Sequence, residues 1–224
     1  MEQLVSTEWL ANELGASDLR LVDASMFLPS DNRNAAAEFE AEHIPGAVFM
    51  DLSEIVDSAN PLPMMLPGAE KFASRMQSLG LGDGSRIVIY NNSPWKSAPR
   101  AWWMLSQVFG AHGAAVLDGG LAKWKAEGRA LESGKPTIRH RHFTAWKNDK
   151  VVRDKAQMLA NIDSKAEQVV DAREEPGMQA DGAEMGGEPR RNLAFDGLQR
   201  RRRLRGGQIE EQARDAPEVP AAAV

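Results

Sequence analysis

Three apolar runs, LRLVDA (residues 19–24), SRIVIY (85–90) and AAVLDGG (114–120), alternate with amphipathic segments, and this constrains the fold more than any other feature. VSTEWLANEL (5–14) reads as a helix with Ser6 as N-cap, and KFASRMQSLG (71–80), SAPRAWWMLSQVFG (97–110) and GLAKWKAEG (120–128) read as further helices. Strands separated by helices of about ten residues imply a parallel α/β sheet covered on both faces. This pattern fills residues 1–130. Residues 131–150, LESGKPTIRHRHFTAWKNDK, show no clear period and read as a linker.

A second copy of the pattern then begins. VSTEWLANELGASDLRLVDA at 5–24 is echoed by VRDKAQMLANIDSKAEQVVDA at 152–172, with an offset of 149 residues for Leu-Ala-Asn and 148 for the strand that ends in Asp-Ala. Residues 151–173 are therefore expected to start a second domain of the same kind. After Arg173 neither period is sustained. Residues 174–224 hold eight arginines and no lysine, against nine lysines in the first 173 residues. Large apolar residues are too sparse there to offset the entropy of ordering, so a disordered tail is expected. Its composition also matches a GC-rich gene read out of frame.

Composition bounds the chemistry. At 42% apolar residues the chain can build a real core, and no stretch approaches the length and apolarity of a membrane span. The start MEQLVSTEWL lacks the features of a signal peptide, so a cytoplasmic location is expected. A net charge of −5 argues against general nucleic-acid binding. Neither the run Arg200 to Arg203 nor any other segment changes that expectation, because acidic residues flank the run and no aromatic side chains are interleaved. The chain has no cysteine, which excludes disulfides, thiolate metal sites and cysteine nucleophiles. No cofactor is implied, and four histidines do not make a metal site.

Three segments occur in order: HIPGAVFMDL (43–52), YNNSPWKSAPRAWWML (90–105) and VLDGGLAKWKAEG (116–128). Together they resemble the N-terminal domain of tandem rhodanese-type sulfurtransferases, the family that uses 3-mercaptopyruvate or thiosulfate as sulfur donor and a thiol or cyanide as acceptor. The resemblance implies a rhodanese-like domain, normally the non-catalytic one of a pair, followed by a catalytic domain that is incomplete here. In such a family the catalytic domain opens a six-residue loop with a cysteine at a helix N-terminus, where loop amides and the helix dipole favour a thiolate and an anionic persulfide.

Placed on this chain, the loop is Asn92, Ser93, Pro94, Trp95, Lys96 and Ser97, and Asn92 stands where the nucleophile would be. An amide cannot attack a sulfane sulfur, and Pro94 lacks an N–H to offer an anion. The resemblance therefore implies a sulfurtransferase homologue that is inactive as written, or a silent module with a binding or regulatory role. Lys96 and Arg100 are candidate anion contacts. Truncation should expose an interdomain face that favours self-association. Trp102, Trp103, Met104, Leu105, Val108 and Phe109 are read as a packed helix face, His43 as a residue that structures its loop, and Asp23 as a cap on the loop after its strand. Carboxylate chemistry at Asp23 or Asp118 would need a paired acid or a metal cluster, and the sequence offers neither.

Overall fold

A computed structural model of the chain describes residues 1–93 and 97–170, and the backbone of the strands at 202–205 and 208–211. Two compact units result, Met1–Arg153 and Asp154–Val224.

The first unit is built on β1 (Leu4–Val5), β2 (Leu19–Asp23), β3 (Ala47–Phe49), β4 (Arg86–Tyr90) and β5 (Ala114–Leu117), in the order β1-β5-β4-β2-β3. All neighbouring pairs are parallel, with Leu21 opposite both Ala47 and Val88. The central strand β4 is buried from Ile87 to Tyr90, which is why it reads as a continuous apolar run rather than an alternating one. Helices α1 (Thr7–Glu13), α2 (Ala35–Ala41), α3 (Ala69–Ser78) and α4 (Ser97–Trp103) supply the four crossovers, and α5 (Gly120–Ala126) follows β5. Ser6 caps α1, its side chain accepting from the Trp9 amide at 3.1 Å.

The two faces of the sheet bury separate apolar clusters. Val22, Ile87 and Ile89 pack with Phe72, Leu105, Val108 and Phe109 on one side. Leu21, Val88 and Tyr90 pack with Leu10, Ile44, Leu121 and Trp124 on the other. The helix rich in tryptophan thus serves the core: Met104, Leu105, Val108 and Phe109 are buried, and the half-buried Trp102 donates its Nε1–H to the Ala114 carbonyl at 3.0 Å. From Met104 to Val108 this helix widens into a π-helical turn.

The segment read as a linker is irregular but packed against the first unit. His43 and Glu132 form a two-way backbone bridge, Thr144 donates from its amide and hydroxyl to the two oxygens of Asp83, and the Asn148 amide reaches the Val108 carbonyl at 2.7 Å. Phe143 is only 3% exposed and meets Phe72 edge-on with centroids 5.9 Å apart. One buried aromatic residue makes the strap part of the domain, and a single position leaves no periodic signal.

In the second unit, α6 (Lys155–Ser164) forms where the repeat predicts a helix, with a capping box between Asp154 and Gln157. Val169 and Val170 carry no strand, and Asp171 to Arg173 lie outside the described residues. Of residues 174–224, expected to lack order, the described part is an antiparallel hairpin of β6 (Arg202–Arg205) and β7 (Gln208–Glu211). Among the described residues no helix is long and apolar enough to cross a membrane.

Candidate functional site

The carboxyl ends of β4 and β5 open onto one crevice, the place where parallel α/β sheets present their loops. Chain leaving β4 at Tyr90 passes Asn91, Asn92 and Ser93, and α4 begins at Ser97; Pro94, Trp95 and Lys96 lie outside the described residues. Beside it runs the turn from β5 into α5, where Gly119 and Gly120 have φ of +76° and +55°. A Cβ on Gly120 would sit 2.5 Å from the Asn91 carbonyl oxygen, so glycine is what lets the two loops touch. The crevice is a pocket of about 490 Å³, walled by apolar Leu4, Val116, Pro99 and Ala122 and by the polar residues 91–93 and Asp118.

A hydrogen-bonded frame fixes the start of the loop. The Asn92 amide donates to Ser25 Oγ at 2.8 Å, and the Ser25 amide donates to Asp23 Oδ1 at 2.8 Å. Asn91 Nδ2 donates to the Ser93 carbonyl at 2.7 Å, and the hydroxyls of Ser93 and Ser97 lie 3.2 Å apart. Asn92 thus occupies a held position, not a frayed one.

An acid faces the position of the expected nucleophile. Glu38, on α2, is gripped by Arg33 through bonds of 2.7 and 2.5 Å, and this pair is the main reason its carboxyl lies below the usual range; partial desolvation opposes it and a hydrogen bond from the Asn92 side chain adds to it. A carboxylate beside a thiol raises the thiol pKa. Glu38 therefore opposes a thiolate at residue 92 even before that residue's identity is considered.

Arg100, one of the two candidate anion contacts, does not line the pocket. Its Nη2 donates to the Met64 carbonyl, its Nε is buried without a partner, and desolvation lowers its pKa. Lys96, the other, lies outside the described residues.

Neither suggested carboxylate has a catalytic setting. Asp118 is exposed and paired with Lys123 at 3.1 Å. Asp23 is 2% exposed; burial pushes its carboxyl up, opposed by hydrogen bonds from Ser25 and the Tyr90 hydroxyl. That hydroxyl, raised in turn by its own burial, accepts from the Ile44 amide at 3.3 Å. Asp23 is thus an internal anchor of the loop after β2. His43 is buried, stacked on Phe39 at 4.1 Å, with Nδ1 2.7 Å from the Phe39 carbonyl, and it structures its own loop. Among the described residues no three His, Asp or Glu side chains converge as metal ligands do.

Sequence reasoning missed Ser25 and Glu38. Asp23-Ala24-Ser25 carries a local signal, because an Asp or Ser at such spacing often closes a turn through its side chain. Glu38 carries none, since its helix begins AAAEFEA with too few large apolar residues to show a period.

Comparison with known proteins agrees with this geometry. The rhodanese-like domain family matches residues 6–127. Human (Homo sapiens) 3-mercaptopyruvate sulfurtransferase is 41% identical over 176 residues, which is 76% of this chain and 59% of that protein. Bovine (Bos taurus) thiosulfate sulfurtransferase is 38% identical with the same two coverages, so the chain spans 59% of the length of either relative. The crystal structure of SseA from Escherichia coli, described as a 3-mercaptopyruvate sulfotransferase, superposes with a TM-score of 0.76 at 35% identity, covering 81% of this chain and 69% of that one.

Proposed function

The chain belongs to the rhodanese-like domain family, and from that premise we propose that it is a 3-mercaptopyruvate sulfurtransferase homologue that does not itself transfer sulfur. One observation carries the reading: residue 92, held at the head of the loop between β4 and α4, is asparagine, in a chain without any cysteine. Persulfide chemistry needs a sulfur nucleophile to take the sulfane sulfur from 3-mercaptopyruvate or thiosulfate and to hand it to a thiol acceptor. Asn92 supplies none, and Glu38 beside it would oppose the anionic intermediate.

The same reading holds that residues 1–130 are the non-catalytic domain of a tandem pair, that residues 151–173 start the second domain, and that the following segment is read from a shifted frame. Support comes from α6, formed where the repeat places it; self-association is proposed through the face of the first domain that a complete second domain would cover. A cytoplasmic location completes it.

A rate assay with purified chain, either donor and cyanide tests the proposal. No thiocyanate above the uncatalysed rate is expected, and enzyme-dependent turnover would overturn it. Resequencing codons 165–224 tests the shifted frame: a corrected frame encoding a cysteine loop is expected. A second reading, a silent module that binds a ligand, draws on the pocket of about 490 Å³ beside an intact loop frame.

A further inference from the structure

The end of the sheet opposite the loop carries a feature that the sulfurtransferase reading does not use. Residues 135–148 of the strap hold no helix, strand or turn, and within them Arg139, His140, Arg141 and His142 are all exposed. The strap is seated rather than loose. Gly80 and Gly82 make room for it: a Cβ on either would lie 2.8 Å from the Arg139 carbonyl oxygen or from Arg141 Cβ respectively. The Asp83 amide donates to the His142 carbonyl at 2.9 Å, and Phe143 plugs the next position into the core.

These cations are not neutralised from within. Among the described residues no ion pair or side-chain hydrogen bond engages Arg139, His140 or Arg141, whereas Arg86, the first residue of β4, is gripped by both Asp18 and Glu13. Of the acids near the group, Asp83 has its two oxygens taken by Thr144 and lies 3.9 Å from His142, and Asp18, which attracts Arg20, is itself held by Arg86. Arg20, at the start of β2, spends its donors on the carbonyls of Leu19 and Ser17 and sits near enough to Arg141 for the two charges to repel. Like charges whose neighbouring acids are already engaged by Thr144 and Arg86, on a chain of net charge −5, cost free energy that an outside anion would recover.

We propose that the Arg139–His142 strap, with Arg20 beside it, is a docking surface for an acidic, extended segment of a partner polypeptide. Two arginines separated by one residue on a non-helical chain stand up to about 7 Å apart, the repeat of alternate side chains in an extended peptide. The patch is short and the rest of the molecule is acidic, which suits a local run of carboxylates better than a long nucleic acid that would meet the remaining negative surface. No Phe, Tyr or Trp is interleaved within 137–142 to stack a base.

Fluorescence anisotropy of the full chain with a short fluorescein-labelled polyglutamate peptide at low ionic strength tests this. Binding is expected, weakening as salt shortens the Debye length. R139E/R141E should lower the affinity about tenfold or more, and K147E/K150E, with the same change in net charge farther along the strap, should leave it within about twofold. R139Q/R141Q keeps the test open should charge reversal disturb folding. Absence of binding, equal losses in both double variants, displacement of the peptide by inorganic phosphate at matched ionic strength, or tighter binding of an oligothymidylate of equal length would each overturn the proposal.

Discussion

Asn92→Cys would place the only sulfur nucleophile of the chain at the head of its loop, and its thiol pKa can be worked out from the neighbours. Glu38 is within hydrogen-bond reach of residue 92. Two charges about 4 Å apart at an effective dielectric of about 20 interact by about 4 kcal/mol. The Glu38 side chain is 35% exposed and shares its charge with Arg33, so about 1 kcal/mol is a fairer figure. That raises the thiol by about 0.7 of a pKa unit. The amino end of α4 opposes it by about 0.3–1 kcal/mol, so the two nearly cancel. The thiol should therefore titrate near its ordinary value of about 8.5, outside the range of about 3.5–7.5 found for activated cysteines. Measuring the alkylation rate of N92C against pH gives this value directly, and N92C/E38Q should titrate about 0.7 unit lower. A thiol below about 7 in N92C, or persulfide formed rapidly from 3-mercaptopyruvate, would refute the conclusion that the loop leaves its thiol unactivated.

Three further outcomes follow from the packing. Phe143→Ala should cost about 3–5 kcal/mol in chemical denaturation, whereas a free linker would lose almost nothing. Gly120→Ala, which forces a left-handed backbone and a contact with the Asn91 carbonyl, should lower stability by about 1–3 kcal/mol and shift the amide resonances of residues 91–93. Asp23 has a folded-state pKa raised above its unfolded value, so folding favours its protonated form. Its contribution is full below about 3.8 and is lost as pH rises through the raised value, so D23N should lose ground against the parent chain as pH falls through that window. Parallel stability curves for the two proteins would contradict this.

Most of the scaffold was legible because its signals are local. β2, β4 and β5 are apolar runs between helix patterns, and Ser6 and Gly120 mark helix starts in the residue types that such positions need. β1, with two residues, and β3, with three, are too short to show a period, and α2 is built largely of alanine and glutamate. The strap escaped because Phe143 is its one buried large side chain and its other anchors are backbone and Asp83–Thr144 hydrogen bonds, which leave no period. At the site, the identity of residue 92 was visible at once, but its environment was not: Ser25 and Glu38 reach it through folding, from elements far away in the chain. Arg100 illustrates the limit from the other side, since a charge near a helix start reads as an anion contact and its turn toward the Met64 carbonyl is set by the 50–68 loop.

The brevity of β1 and β3 has a consequence for how this protein would fail. They are the two margins of the sheet, and between them they offer five residues of open backbone to a foreign strand. So little exposed ladder gives poor purchase to strand addition, the usual route into fibrils. Strand addition at these margins should therefore be rare, and aggregates that start from this five-stranded sheet should leave amyloid dyes dark.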